Sequence, residues 1–227
     1  VPYSINSDAS GLSFSTARDA ISAAFSTWQG GSGGAITFAF AGQSHSGSDG
    51  QDGQNTISWQ PLGVGTADTF GQSIITFSAR DGEIFDVDIE LSTAFPWAVL
   101  PTGEDNPSDP RADLQAVATH EIGHLGGLAH ENALGPEVVM FFEDTTGNTT
   151  HRTLTADDQA GIQAIYSGGG MGGGGGGGGD GGGGGCAIDP DAHGQGLMPA
   201  AVLIGILIAR EIRRSRKRRP RERTSQP

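Results

Sequence analysis

Residues 168–185 hold sixteen glycines, interrupted only by Met171 and Asp180. A stretch almost without side chains has no apolar surface to bury and a large backbone entropy to lose, so it cannot belong to a core. It divides the chain into a folding segment 1–167, a Gly-rich linker 168–185 and a C-terminal segment 186–227. Charge divides there too. Residues 1–167 carry 21 acidic residues against Arg18, Arg80, Arg111 and Arg152, a formal charge of −17, whereas residues 210–227 carry nine bases against Glu211 and Glu222, or +7. The whole-chain value of −13 averages over these unlike parts.

A segment of this size suits one domain with one core. Four arginines and no lysine in it leave no basic footprint for neutralising phosphates, so no nucleic-acid partner is expected. The single cysteine, Cys186, lies outside it, which excludes an internal disulfide framework and a Cys-ligated zinc. Beginning at Val1 with neither Met nor apolar leader, the chain reads as a processed or truncated product.

Tyr3 to Asn6 follows Pro2 as a short extended run. Phe14, Ala17, Ile21, Ala24, Phe25 and Trp28 then recur at helical spacing, with Ser13 or Ser15 to cap the start and Gly30-Gly31 to stop it. Ala35–Phe40, Thr56–Trp59, Gln72–Ala79 and Glu83–Leu91 read as strands, the last two joined by a turn at Asp81-Gly82. Pro96, Pro101, Pro107 and Pro110 mark a surface loop without regular structure. A helix is predicted from about Pro110 to Leu125, capped by Asp109, and another from Ala156 to Tyr166, opened by Thr155 with Asp158 three residues on. The order of elements gives an α+β class.

Residues 120–130 read His-Glu-Ile-Gly-His-Leu-Gly-Gly-Leu-Ala-His. On a helix at about 100° per residue, His120 and His124 stand one turn apart on one face, so both imidazoles reach one ion. Glu121 falls on the flank of that face, beside the metal and free of it. His130 becomes a third ligand if the chain reverses after Leu125, and Gly127, able to take positive φ, supplies the reversal. Three histidines with one open position describe a catalytic Zn2+. The ligand set implies hydrolysis by an activated water, with Glu121 as general acid/base. Chance occurrence of the five fixed positions is on the order of one in 10⁵ per chain, which argues against ordinary surface histidines.

On these residues the segment resembles the metzincins, and within them the matrixins. Val138-Val139-Met140 stands where metzincins carry the Met-turn, and Leu154 to Tyr166 is similar to the closing matrixin helix. The resemblance implies a twisted five-stranded mixed sheet with three helices, an antiparallel edge strand at Gln72–Ala79 that pairs with extended substrate, and Met140 as a hydrophobic floor beneath zinc. It further implies a zinc metalloendopeptidase acting on protein or peptide substrates as a monomer. The competing reading is a surface adhesion module with a structural zinc. His45 has no evident histidine partners for a second, structural zinc. Asp49, Asp52, Asp81, Asp86 and Asp88 offer oxygen ligands for Ca2+, with a solvated acidic surface as the alternative. Glu131 resembles the astacin pattern, but Phe142 occupies the place of the astacin Tyr. The Pro and Tyr that follow the matrixin Met-turn are absent, so cleavage preference is not legible. His151 and His193 read as surface histidines.

Leu197–Ala209 is uncharged and mostly aliphatic, and Arg210 begins a basic run within 210–223. As a helix the apolar stretch spans about 20 Å against a hydrocarbon core of about 30 Å. The basic cluster orients the tail to the cytoplasm and the acidic domain outside. Linker, Cys186, apolar stretch and Arg cluster resemble a bacterial C-terminal sorting signal of the Cys-containing myxobacterial type. That implies lipidation or processing at Cys186, and display on the extracellular face of the cell envelope or release from it.

Overall fold

The computed structural model describes residues 1–48, 51–62, 69–102 and 105–166. Asp49, the linker, Cys186, His193, the apolar stretch and the basic tail lie outside the described residues.

Strand β1 (Pro2–Asn6) leads into helix α1 (Phe14–Gly31), which returns the chain to β2 (Ala39–Gln43). Strands β3 (Thr56–Gln60), β4 (Gly71–Phe77) and β5 (Ile84–Ser92) follow. The five form one sheet in the order β2-β1-β3-β5-β4, parallel throughout except that β4 runs antiparallel to β5. Beyond it come the two-residue strands β6 (Trp97–Ala98) and β7 (Ala112–Asp113), helix α2 (Leu114–Leu125), a 3-10 turn at Thr150–Arg152 and helix α3 (Ala156–Tyr166). The mixed five-stranded sheet and three helices match the expected architecture. β4 is the antiparallel edge.

Helix α1 starts where Ser13 Oγ accepts the Thr16 N–H at 3.1 Å. Its buried stripe of Ile21, Ala24, Phe25 and Trp28 packs between the sheet and α2. Trp28 crosses that layer and donates its indole N–H to the Thr119 carbonyl at 2.6 Å, inside the core. A buried indole without a partner is costly, so this bond fixes how α1 lies on the helix that carries the histidines. Ile57, Ile89 and Leu91 fill the sheet's side of the core.

Three expectations are corrected. The second strand begins at Ala39 and not at Ala35, because Gly33 and Gly34 take φ of 66° and 80° and the Phe38 N–H goes to Gln29 Oε1. The proline-rich loop contains regular pairing after all, since Trp97–Ala98 lies parallel to Ala112–Asp113. That pairing delays the next helix. Asp109 is drawn to Arg111, accepting from its N–H at 3.0 Å and its guanidinium at 2.9 and 2.6 Å, and Asp113 takes the cap by accepting the Ala116 N–H at 2.8 Å. Asp113 also meets Arg152 in an ion pair whose side chains are 0% and 7% exposed, so the helix start is anchored in the interior.

Candidate metal centre

Helix α2 presents His120 and His124 one turn apart, and its end then folds back. The Gly127 N–H donates to the His124 carbonyl at 2.9 Å and the Leu128 N–H to the Gly123 carbonyl at 3.0 Å, while Gly127 takes a φ of 88°. This pair of bonds around a left-handed residue is the Schellman ending, and it reverses the chain at the position inferred from sequence. His130 is thereby returned to the face of α2. Its Nε2 lies 3.2 Å from His120 Nε2 and 3.1 Å from His124 Nε2.

Two nitrogens each about 2.05 Å from one tetrahedral zinc stand about 3.3 Å apart, close to both separations. Among the described residues these three histidines form the one group of three or more His, Cys, Asp or Glu ligand atoms drawn within 4.8 Å of one another. Hydrogen bonds on the far side of two rings set their tautomers. His120 donates its Nδ1–H to the Val139 carbonyl at 2.7 Å, and His124 donates its Nδ1–H to the Leu128 carbonyl at 2.8 Å. Each Nε2 is left with a lone pair facing the centre, the arrangement that supports histidine ligation. Burial, with the neighbouring histidines, pushes His120 well below the ordinary imidazole value, and burial with His124 pushes His130 down to about 4. Neutral imidazole is the ligating form, so the donor set suits zinc.

The carbonyl that orients His120 belongs to the Val138–Met140 segment, and that segment is itself held. Asp158, 2% exposed, accepts the Val139 N–H at 3.1 Å and the Met140 N–H at 3.2 Å. The same carboxylate accepts the Thr155 N–H at 2.8 Å while Thr155 Oγ1 accepts the Asp158 N–H at 3.3 Å, closing the capping box of α3. Sequence showed the capping box only. Met140 is buried against Gly123 on α2 and, through its carbonyl, accepts the Glu131 N–H at 2.8 Å, which ties the residue after His130 to the same segment.

Glu121 sits beside the histidines, 5% exposed. Burial raises its pKa, opposed by His124 and by a hydrogen bond from Ser73. Ser73 was invisible to the sequence reading, since its contact spans 48 positions.

Other expected positions separate. His151 is 1% exposed and not a surface residue; its Nε2–H donates to the Pro136 carbonyl at 2.8 Å, and Asp144 lies 3.6 Å from Nδ1. His45 is exposed beside Asp8. Asp86 and Asp88 are buried, which overturns a solvated surface for those two, whereas Asp52 and Asp81 remain exposed; Glu90 on the same strand is buried as well. Asp88 accepts the Thr56 N–H at 3.0 Å and the Ser48 hydroxyl at 3.1 Å, and Glu90 accepts the Gln72 amide at 2.6 Å. Phe142 stays exposed.

The Matrixin family model matches residues 1–167. The chain is 35% identical over 78 residues to Metalloendoproteinase 1-MMP of Arabidopsis thaliana, which is 34% of this chain and 20% of that protein. It is 45% identical over 60 residues to Matrix metalloproteinase-C of Caenorhabditis elegans (25% and 10%), and 39% identical over 54 residues to Matrix metalloproteinase-25 of Homo sapiens (24% and 10%). The matched stretches thus cover a fifth or less of each of these relatives. Among solved structures, metalloproteinase-II from Bacteroides fragilis aligns at 16% identity and a TM-score of 0.42 over 73% of this chain and 52% of that one. With the family model matching residues 1–167 and three histidines converging within that stretch, the chain belongs to the matrixin family.

Proposed function

We propose that this protein is a zinc-dependent endopeptidase, with His120, His124 and His130 as metal ligands, Glu121 as general acid/base and Met140 as the packed support beneath the metal. The observation that carries the reading is the convergence of three Nε2 atoms, two with their Nδ1–H groups tied to carbonyls, next to a buried glutamate on the same helix. Zinc bound there supplies a water of lowered pKa and a polarised scissile carbonyl. Glu121 takes the proton from the attacking water and passes it to the departing amine, so that no covalent enzyme intermediate is needed. An extended substrate pairs with the outer edge of β4, the last strand of the sheet among the described residues, through main-chain hydrogen bonds and so lies across the histidines.

The test is peptide and protein cleavage by the zinc-loaded full chain, with and without chelator. Glu121→Ala keeps zinc and loses cleavage; His130→Ala loses both. Full activity in Glu121→Ala refutes this mechanism, and zinc binding without any cleavage favours a structural zinc in an adhesion module.

We further propose that the enzyme works as a monomer outside a bacterial cell, anchored or released by processing near Cys186. The pattern of linker, cysteine, apolar stretch and basic tail supports this. No helix among the described residues is long and apolar enough to cross a membrane. Mass spectrometry of mature protein decides the point, because mature protein that retains the basic tail 210–223 excludes processing near Cys186.

A further inference from the structure

Glu121 projects from α2 toward the edge strand, and β4 meets it with two residues on one face. Positions two apart on a strand share a face. Gly71 and Ser73 are such a pair. The Ser73 hydroxyl lies 2.7 Å from Glu121 Oε2 and 3.2 Å from the Glu121 carbonyl. Its single hydrogen serves the shorter contact with the carboxylate. A side chain at Gly71 would begin 3.0 Å from Glu121 Oε1 and 3.2 Å from Cγ, so glycine leaves the room in which the other oxygen sits. One oxygen is held and its partner is given space.

We propose that Ser73 is a positioning residue for Glu121: it fixes Oε2 so that Oε1 stays directed to proton transfer. This rests on the endopeptidase reading above. A glutamate has three side-chain torsions, and a buried carboxylate that loses a donor turns to find another. A general base must stay within hydrogen-bond reach of the proton it takes, and a displacement of about 1 Å costs up to roughly 100-fold. The same strand offers its outer edge to substrate, so substrate and base are registered by one element.

The experiment uses the zinc-loaded full chain and a fluorogenic peptide. Ser73→Ala is expected to lower kcat about 10- to 100-fold with KM nearly unchanged, and Ser73→Thr, which keeps the hydroxyl, to recover most of it. Zinc affinity by chelator competition should match wild type in both. In a Glu121→Asp background, whose shorter side chain withdraws from Ser73, adding Ser73→Ala should cost little further, since both changes act through one carboxylate. An unchanged kcat in Ser73→Ala, a Thr variant as slow as the Ala variant, or an equal loss in both backgrounds overturns the proposal. Should Ser73→Ala not fold, Ser73→Cys, close in size and a weak donor, must show the same fall in kcat. Wild-type protein that binds zinc and cleaves nothing overturns the endopeptidase reading instead.

Discussion

The carboxylate of Asp158 bonds the backbone of Met140, 18 residues away, and of Val139 beside it, at 3.2 and 3.1 Å. The Val139 carbonyl in turn orients His120 at 2.7 Å. An acid at the start of α3 thus sets the tautomer of a metal-site histidine on α2 through one peptide segment. Asp158→Ala removes acceptors from buried amides, and a loss of about 2–4 kcal/mol is expected. Urea unfolding measures that loss. Chelator competition should show weaker zinc binding as well; unchanged affinity in a folded variant would mean that the segment needs no support from Asp158.

Gly123 is one of the two unspecified positions within His-Glu-x-x-His, yet space dictates it. A Cβ there would overlap Met140 Sδ and lie 2.8 Å from Trp28 Cζ2. Gly123→Ala therefore forces α1, α2 and the Met140 segment apart, at a cost of about 1–3 kcal/mol despite the better helix propensity of alanine. Thermal unfolding should show a lowered midpoint. A raised one would mean the helix packing yields easily.

His151 makes stability depend on pH with a definite sign. Burial opposes its charge, but Asp144 beside Nδ1, the Pro136 carbonyl and the charge of Asp158 raise its pKa above the ordinary value. A folded-state pKa above the unfolded value of about 6.5 gives a contribution complete below that pH and lost as pH rises through the folded value. With zinc saturating, the stability gap between wild type and His151→Gln should be wider at pH 6 than at pH 9. A gap that widens with pH would contradict the pairing with Asp144.

Metal removal should soften the site before it unfolds the domain, because α2 is anchored independently by the Asp113–Arg152 pair and the Trp28 bond. Chelation is expected to lower the thermal midpoint, with zinc restoring it in proportion to the logarithm of free metal. Asp113→Ala leaves Arg152 charged and buried, and should cost about 3–5 kcal/mol with or without zinc. Calorimetry across a zinc series separates the two effects: a loss confined to the zinc-loaded form would place Asp113 in the metal site.

The eleven residues from His120 to His130 were sufficient, as sequence, to foresee the convergence of three histidines, the glycine that reverses the chain and the glutamate beside them. Each rests on local geometry, since a helical turn and a left-handed glycine are set within a few residues. The capping box at Thr155 was legible for the same reason, whereas the antiparallel edge strand was implied by the resemblance to matrixins. The helix start at Asp113, the burial of His151 and the holding of Glu121 by Ser73 were not. Those depend on which side chains meet across 39, 15 and 48 positions, and only the assembled sheet and helices bring them together. Asp109 had the stronger local signal for a cap and lost it to Arg111, while Asp113 gained it by facing a buried arginine. The sequence by itself determined which side chains make up the candidate metal centre; the tertiary structure decided what holds each part in place, because the partners of buried polar groups are chosen by packing and not by spacing along the chain.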